Sequence, residues 1–389
     1  MVPDPSRPSQ HPMSTDTVSS CRDFHRPHVP CGALTAATVS AVTVLDWLPE
    51  PLQPVAMRMA RADELIFELA QVAFAWSRGP NGEGPLELRQ VERRPGVLDV
   101  EVTSIRPVPP AASALFSEVV HHMRSALDNT VFFLVEAARG GPLTGHQVRA
   151  VSMPICDDEK VFQNNVGKLA KKGIHELDVD TTLGQRVASL QPFADPVAVP
   201  AISPLLAAEM GDPNPDQQHP LVLLRDYSNE DKHRAFRIAA CRALIQSSRD
   251  LKGTRRMGMR PIAVGDVVDV VRKDVPELMD IFSALHVQRP NGVWVSPVAE
   301  LDHIWQHVAY VVLPTLVTGM ALPRELPAQV DLGDSGLTLA ERLKAGGGRR
   351  AHERHREIVI RETLAAMHQP PRLFPIVSAD GGGDPARSG

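Results

Sequence analysis

Apolar positions recur along this chain with two different periods, and the switches between them lay out its elements. In "MARADELIFELAQVAFAW", Leu65, Leu69, Val72 and Trp76 fall at helical spacing, which predicts an amphipathic helix beginning near Met57 or Met59. After "SRGPNGEGP" the period drops to two: Leu98, Val100 and Val102 alternate with Asp99, Glu101 and Thr103. Joined to "LELRQVERR" by the turn at Pro95-Gly96, this stretch predicts a β-hairpin. "RPVPP" ends the strand. The longest helix is expected over about 111–139, with Leu115, Val119, Met123, Leu127, Val131 and Leu134 as its stripe and Gly140-Gly141-Pro142 as its stop.

Beyond it, "EKVFQNNVGKLAKKG" and "TLGQRVASLQPF" read as short helices, followed by the connector "ADPVAVPAISP" and the loop "GDPNPDQQHP". Pro220 suits the first turn of a helix to about Tyr227, with Leu221 and Leu224 inward. Alternation resumes after "NEDKHR", where Phe236, Ile238 and Ala240 predict a strand; "VGDVVDVV" and "GVWVSPV" predict two more. A helix from Leu301 to about Met320 should kink at Pro314, and a charged helix broken at Gly346–Gly348 precedes a Gly-rich tail.

These elements predict an α+β fold: a long central helix, flanking helices and a small, mainly antiparallel sheet. The expected organisation is a disordered leader or mis-assigned start over 1–56, an α+β domain over 57–322, a peripheral helical segment over 323–369 and a disordered tail over 370–389. Charged residues at 22% and hydrophobic residues at 43% are ordinary for a globular chain of 389 residues, while the net charge of -5 offers no general attraction to nucleic acid or anionic membrane. DNA and membrane are therefore not expected partners. The apolar run at 308–322 is too short to span a bilayer and contains Pro314. The four cysteines form no CxxC pair, which fits a reducing, cytoplasmic setting.

Two polar clusters interrupt the apolar pattern. In "NEDKHR", at a helix-to-strand junction, Asn229 suits a left-handed C-cap, and Lys232, His233 and Arg234 suit the carbonyl end of the helix dipole. Asp231 does not suit that end unless a cation pairs with it; alternatively Ser228 is an N-cap with Asp231 completing an approximate capping box. On the long helix, Ser117, His121, Arg124, Ser125 and Asp128 share a flank beside the apolar stripe. Arg124 precedes Asp128 by four, the weaker orientation for local helix support. The pair is thus expected to tie the helix to a neighbour, with Asp231 and Arg234 as candidate partners.

The order "MRSALDN", "MPI" at 153–155, "SLQPF" at 189–193, "HPLVLLRDYSN" and "DKHR" resembles a family of uncharacterised, mostly actinobacterial proteins that read like LRSALDH, a Pro-Ile element, LQPY and NxDKHR. The resemblance spans about Met57 to Leu244 and implies no activity. The long helix is also similar to that of HEPN-type ribonucleases, where an Arg holds phosphate and a nearby His assists the ribose 2′-hydroxyl. Arg124 matches, but Asn129 stands where the pattern wants His, so such an enzyme would need His233 or His121.

In "LDHIWQHVAY", His303 and His307 are one turn apart, but no third ligand is visible and HExxH is absent, so no metal is expected. Glutamates interleave the arginines of "RRAHERHR", which predicts a solvated helix laced with ion pairs. GxGxxG, GxxxxGK[ST] and GxSxG are absent, and no cofactor is expected. The function expected is a binding or interaction module with a protein or RNA partner, its structural network built from His121, Asp128, Asn229, Asp231, Lys232 and Arg234. The alternative is a metal-independent nuclease with Arg124 and His233 as catalytic residues.

Overall fold

The computed structural model describes residues 46–79, 84–204, 207–208, 214–231, 236–247, 256–274, 279–320, 325–366 and 376–378. Helix α1 spans Gln53–Arg78 and α2 Pro110–Arg139. Between them lies the expected hairpin, β1 Leu86–Arg94 and β2 Val97–Ile105, turned at Gly96 with φ 73°. α3 (Glu159–Ala170), α4 (Thr182–Ser189), the short β3 (Val199–Pro200) and β4 (Gln217–Gln218), and α5 (Pro220–Asp231) follow. Then come β5 Ile238–Ser247, β6 Arg256–Pro261, β7 Val267–Arg272, β8 Met279–Gln288 and β9 Trp294–Val295. α6 (Pro297–His307) runs through a π turn at Val308–Val312 into α7 (Leu313–Thr318). α8 (Leu339–Ala345), α9 (Ala351–Ala366) and β10 (Ile376–Ser378) end the described chain.

The fold is α+β, as the periodicity indicates, but its centre is a pair of long helices rather than one. α1 and α2 pack along each other, and the Trp76 indole at the end of α1 donates to the Pro107 carbonyl just before α2 (3.0 Å). α2 is buried on a stripe wider than the spacing reading allowed: Phe116, Val120 and Val135 are inside, whereas Leu115 and Leu134 are half-exposed. The reason is that α2 meets α1 on one side and α5, α6 and α7 on others. Gly140, left-handed at φ 74°, caps it as expected.

Among the described residues the strands divide over two four-stranded sheets, ordered β10-β1-β2-β7 and β6-β5-β8-β9, plus the two-stranded β3-β4 ribbon. Pairing is antiparallel except for β10 on β1 (Gln90↔Ile376). Leu98, Val100 and Val102 face a small separate core with Val268 and Val271. The main core joins the helices, and Phe116, Tyr227 and Phe236 meet edge-to-face in it, with centroids 4.8–5.8 Å apart.

Several expected boundaries shift. α1 starts at Gln53, and Leu48, Leu52 and Val55 are buried, so the folded body extends ahead of position 57. β10 lies within the segment expected to be a disordered tail. The irregularity before Pro314 is a π turn: an unbroken α-helix would press the proline ring on the Tyr310 carbonyl, and the wider turn relieves that contact. β6 and β8 escaped the alternation reading. Among the described residues no helix is long and apolar enough to cross a membrane.

Candidate functional site

The motif stretches separated in sequence converge on one short extended segment, residues 153–157. Arg124 and Asp128 form an ion pair on α2 (2.9 Å), and together they grip the two peptide groups of Met153. The Arg124 Nη2 donates to the Met153 carbonyl (2.8 Å), while the Asp128 Oδ1 accepts the Met153 N–H (2.9 Å). From the end of α4, Gln191 accepts the Cys156 N–H (3.0 Å) and donates to the Pro154 carbonyl (3.0 Å). From α5, Arg225 donates to the Ile155 carbonyl (3.3 Å) and pairs with Asp157 (3.0 Å). A segment with no ladder of its own thus has its backbone groups satisfied by side chains of three helices.

Asp231 does reach α2, where the Ser117 hydroxyl donates to its Oδ1 (2.6 Å), so the helix and the junction meet. Asp231 is nonetheless not bonded to Arg124 or Asp128, whose bonds run to each other and to Met153. Seven residues along a helix amount to about 10 Å, which places Ser117 and Asp231 away from the Arg124 pair. Asn229 and Ser228 lie inside α5, which continues to Asp231, so neither serves as the expected cap; Asn229 is exposed. His121 is exposed, with its Nε2 3.5 Å from the Ser125 hydroxyl. Lys232, His233 and Arg234 lie outside the described residues.

The network makes a direct prediction. Asp128→Ala removes the acceptor for the Met153 N–H and the partner of Arg124, and should cost about 1–3 kcal/mol of stability. Thermal denaturation checks it, and an unchanged melting temperature would remove the structural role assigned to the pair.

A second arrangement was not legible in the sequence. Asp195, His219 and His307 bring ligand-type atoms within 4.8 Å of one another. Both imidazole Nε2 atoms lie 3.7 Å from the Asp195 Oδ2, and the rings meet edge-to-face at 5.3 Å. His307 is buried and the side chains of His219 and Asp195 are nearly so, with 3%, 8% and 11% exposure respectively. Burial pushes the His219 pKa down against the pull of Asp195. For His307, burial and then the neighbouring His219 push it down to about 4. His303 takes no part: it is exposed, and its Nδ1 donates to the Ala299 carbonyl (2.7 Å). Two positions 24 residues apart and a third 88 further on carry no spacing signal; of the three, the sequence reading singles out His307 alone, beside His303.

Two buried ionic clusters complete the polar interior. Arg289, wholly buried, pairs with Glu300 (2.7 Å) and Asp216 (2.9 Å), and the Tyr227 hydroxyl donates to the same Glu300 (3.0 Å). Burial and the adjacent Glu300 carboxylate push the Tyr227 pKa well above its ordinary value. In the other cluster, Asp63 on α1 accepts from Arg350 (2.7 Å), Arg354 (3.0 Å) and the Ala351 N–H (3.0 Å). Arg350 also bonds Asp302 and lies over the Trp305 ring, 3.4 Å from its centroid. The helix expected to be solvated and peripheral is therefore anchored to α1 and α6 at its first turn.

Beside that anchor is a groove of about 440 Å³, within the size range of small-molecule sites. Ala70, Ala73, Phe74 and Ser77, on one face of α1, form its floor with Ala284 and Leu285 of β8. Asp302 and His303 of α6 and His352, His355 and Arg356 of α9 supply its polar lining. Small residues on α1 and β8 leave the space open. The His355 Nδ1 is buried and has no hydrogen-bond partner, and burial keeps this ring's pKa below the usual histidine value. Comparison of the chain with protein-family models, with curated proteins and with solved structures found no match, so the reading of these sites rests on their own geometry.

Proposed function

We propose that the protein is a binding module, and that its ligand is a small amphiphilic acid seated in the groove between α1, β8, α6 and α9. The observation that carries this reading is the pairing of an apolar floor with the polar side chains of Arg356, His303 and His352. An apolar body would cover Phe74 and Leu285, and a carboxylate or phosphate head would meet Arg356, which is exposed and has no ion-pair partner among the described residues.

The test is calorimetric titration with a panel of medium-chain carboxylates and alkyl phosphates. At least one should bind, and Arg356→Ala should weaken it by about tenfold or more, the value of a charge-assisted hydrogen bond. If no member of the panel binds, or if Arg356→Ala binds as well as the unaltered chain, the groove is not the site.

The rival reading, a nuclease using Arg124 and His233, is disfavoured by the commitment of Arg124 to Asp128 and the Met153 carbonyl, which leaves its guanidinium poorly placed for phosphate. Incubation with total RNA separates the two readings. Cleavage by the unaltered chain that is lost in Arg124→Ala and His233→Ala would favour the nuclease.

A further inference from the structure

We propose that Asp195, His219 and His307 form a binding site for one divalent transition-metal ion of the zinc class, held tetrahedrally with one position left for water. The three residues come from separate parts of the chain: the connector after α4, the position before α5, and the last turn of α6. None of them lines the groove, and the inference stands independently of the binding reading.

The distances carry the argument. A separation of 3.7 Å between each Nε2 and the Asp195 Oδ2 is too long for a hydrogen bond. It is close to the edge of a tetrahedron of ligands around zinc, about 3.4 Å for bonds of 2.0–2.1 Å, and well above the octahedral edge of about 2.9 Å. Two imidazoles with one carboxylate suit zinc and its neighbours rather than calcium or magnesium, which take oxygen ligands.

Burial adds a second, independent observation. The Nε2 atoms of His219 and His307 are both buried and have no hydrogen-bond partner, although each side chain is more than nine-tenths buried. Orphaned polar atoms of this kind are rare, and two aimed at one carboxylate oxygen are what a cation would satisfy. Asp195 is itself oriented for this role, because the Val197 N–H bonds its Oδ1 (3.1 Å) and leaves Oδ2 toward the rings. The backbone fixes the carboxylate's position as well, since the Asp195 N–H donates to the Gln191 carbonyl (2.9 Å).

One rearrangement accompanies binding. The Leu221 N–H donates to the His219 Nδ1 (3.1 Å), so the neutral ring carries its proton on Nε2. Coordination through Nε2 moves that proton to Nδ1, so the hydrogen bond from the Leu221 N–H is lost and the Nδ1–H and the Leu221 N–H then face each other as two donors, a cost that the metal–nitrogen bond has to exceed.

The experiment uses the full chain, stripped with chelator and dialysed to equilibrium against Zn²⁺, with metal content read by elemental mass spectrometry. Co²⁺ is then substituted for its visible spectrum. The expected result is one ion per chain, with intense cobalt bands of tetrahedral type. Asp195→Asn and His219→Ala should each lose more than the roughly 10–100-fold affinity typical of outer-sphere changes, while a variant at the exposed His146, His146→Ala, should bind like the unaltered chain. Asp195→Asn preserves side-chain volume and decides the matter if a histidine variant fails to fold. Retention of no zinc by the unaltered chain, or equal affinity in a folded Asp195→Asn variant, would overturn the site. Weak cobalt bands of octahedral type would overturn its geometry.

Discussion

Glu300→Ala should lower the melting temperature by on the order of 10 °C, because breaking a buried ion pair costs about 3–5 kcal/mol and a kilocalorie shifts a chain of this size by a few degrees. The Arg289 guanidinium has no exposed surface, and both of its edges are committed: Nε and Nη2 to Glu300 (2.8 and 2.7 Å), Nη1 to Asp216 (2.9 Å). Nη2 also donates to the Val199 carbonyl (3.2 Å), which ties the β3-β4 ribbon to the same point. Removing Glu300 leaves the buried Arg289 cation with only Asp216 and the Val199 carbonyl, and deprives the Tyr227 hydroxyl of its acceptor. Cost follows from isolation of the partner rather than from any large net worth of the pair. The double replacement Arg289→Met with Glu300→Leu should therefore recover much of the loss. A denaturation midpoint unchanged in Glu300→Ala would show that solvent reaches Arg289 and that the cluster is not buried in solution.

Asp63→Ala is expected to be nearly as costly and to act on one element. Asp63 is fully buried and collects three donors from the start of α9: the Arg350 and Arg354 side chains and the Ala351 N–H. Burial pushes its carboxyl pKa up, against the Arg350 and Arg354 guanidiniums and the Ala351 N–H, which pull it back. Without the carboxylate, Arg350 keeps Asp302 and Arg354 keeps Glu64, so the global fold should survive while the first turn of α9 loosens. The loss should be about 3 kcal/mol, at the low end for a broken buried pair because of these remaining contacts. Hydrogen exchange of the 350–358 amides should accelerate more than that of α2. Uniform exchange across both helices would contradict a local role. Because α9 supplies Arg356 and His355 to the groove, the same variant should also weaken any ligand bound there.

The contrast between what was legible and what was not falls along residue chemistry. The hairpin was legible because its alternation and the Pro95-Gly96 turn are local, and so was the stop of α2 at Gly140. Arg124 and Asp128 were recognisable as an inter-element tie because their order on the helix makes a poor local pair. Their partner was not, since it is a backbone segment, Met153, whose peptide groups look the same in any sequence. Arg350 was hidden in a run of mixed charges that reads as solvated, because nothing near it in sequence marks which arginine meets a buried aspartate nearly three hundred residues earlier.

The order of apolar and polar residues thus determined by itself the α+β class, most of the helices and the hairpin, all of which depend on neighbours within a few positions. Only the tertiary structure decided that there are two long helices at the centre and two four-stranded sheets. It also decided that Asp195, His219 and His307 face one another, and that α9 is bolted to α1. The physical reason is that burial and charge pairing depend on distance in space. A carboxylate or imidazole carries no local mark of the partner that folding will bring within 4 Å of it.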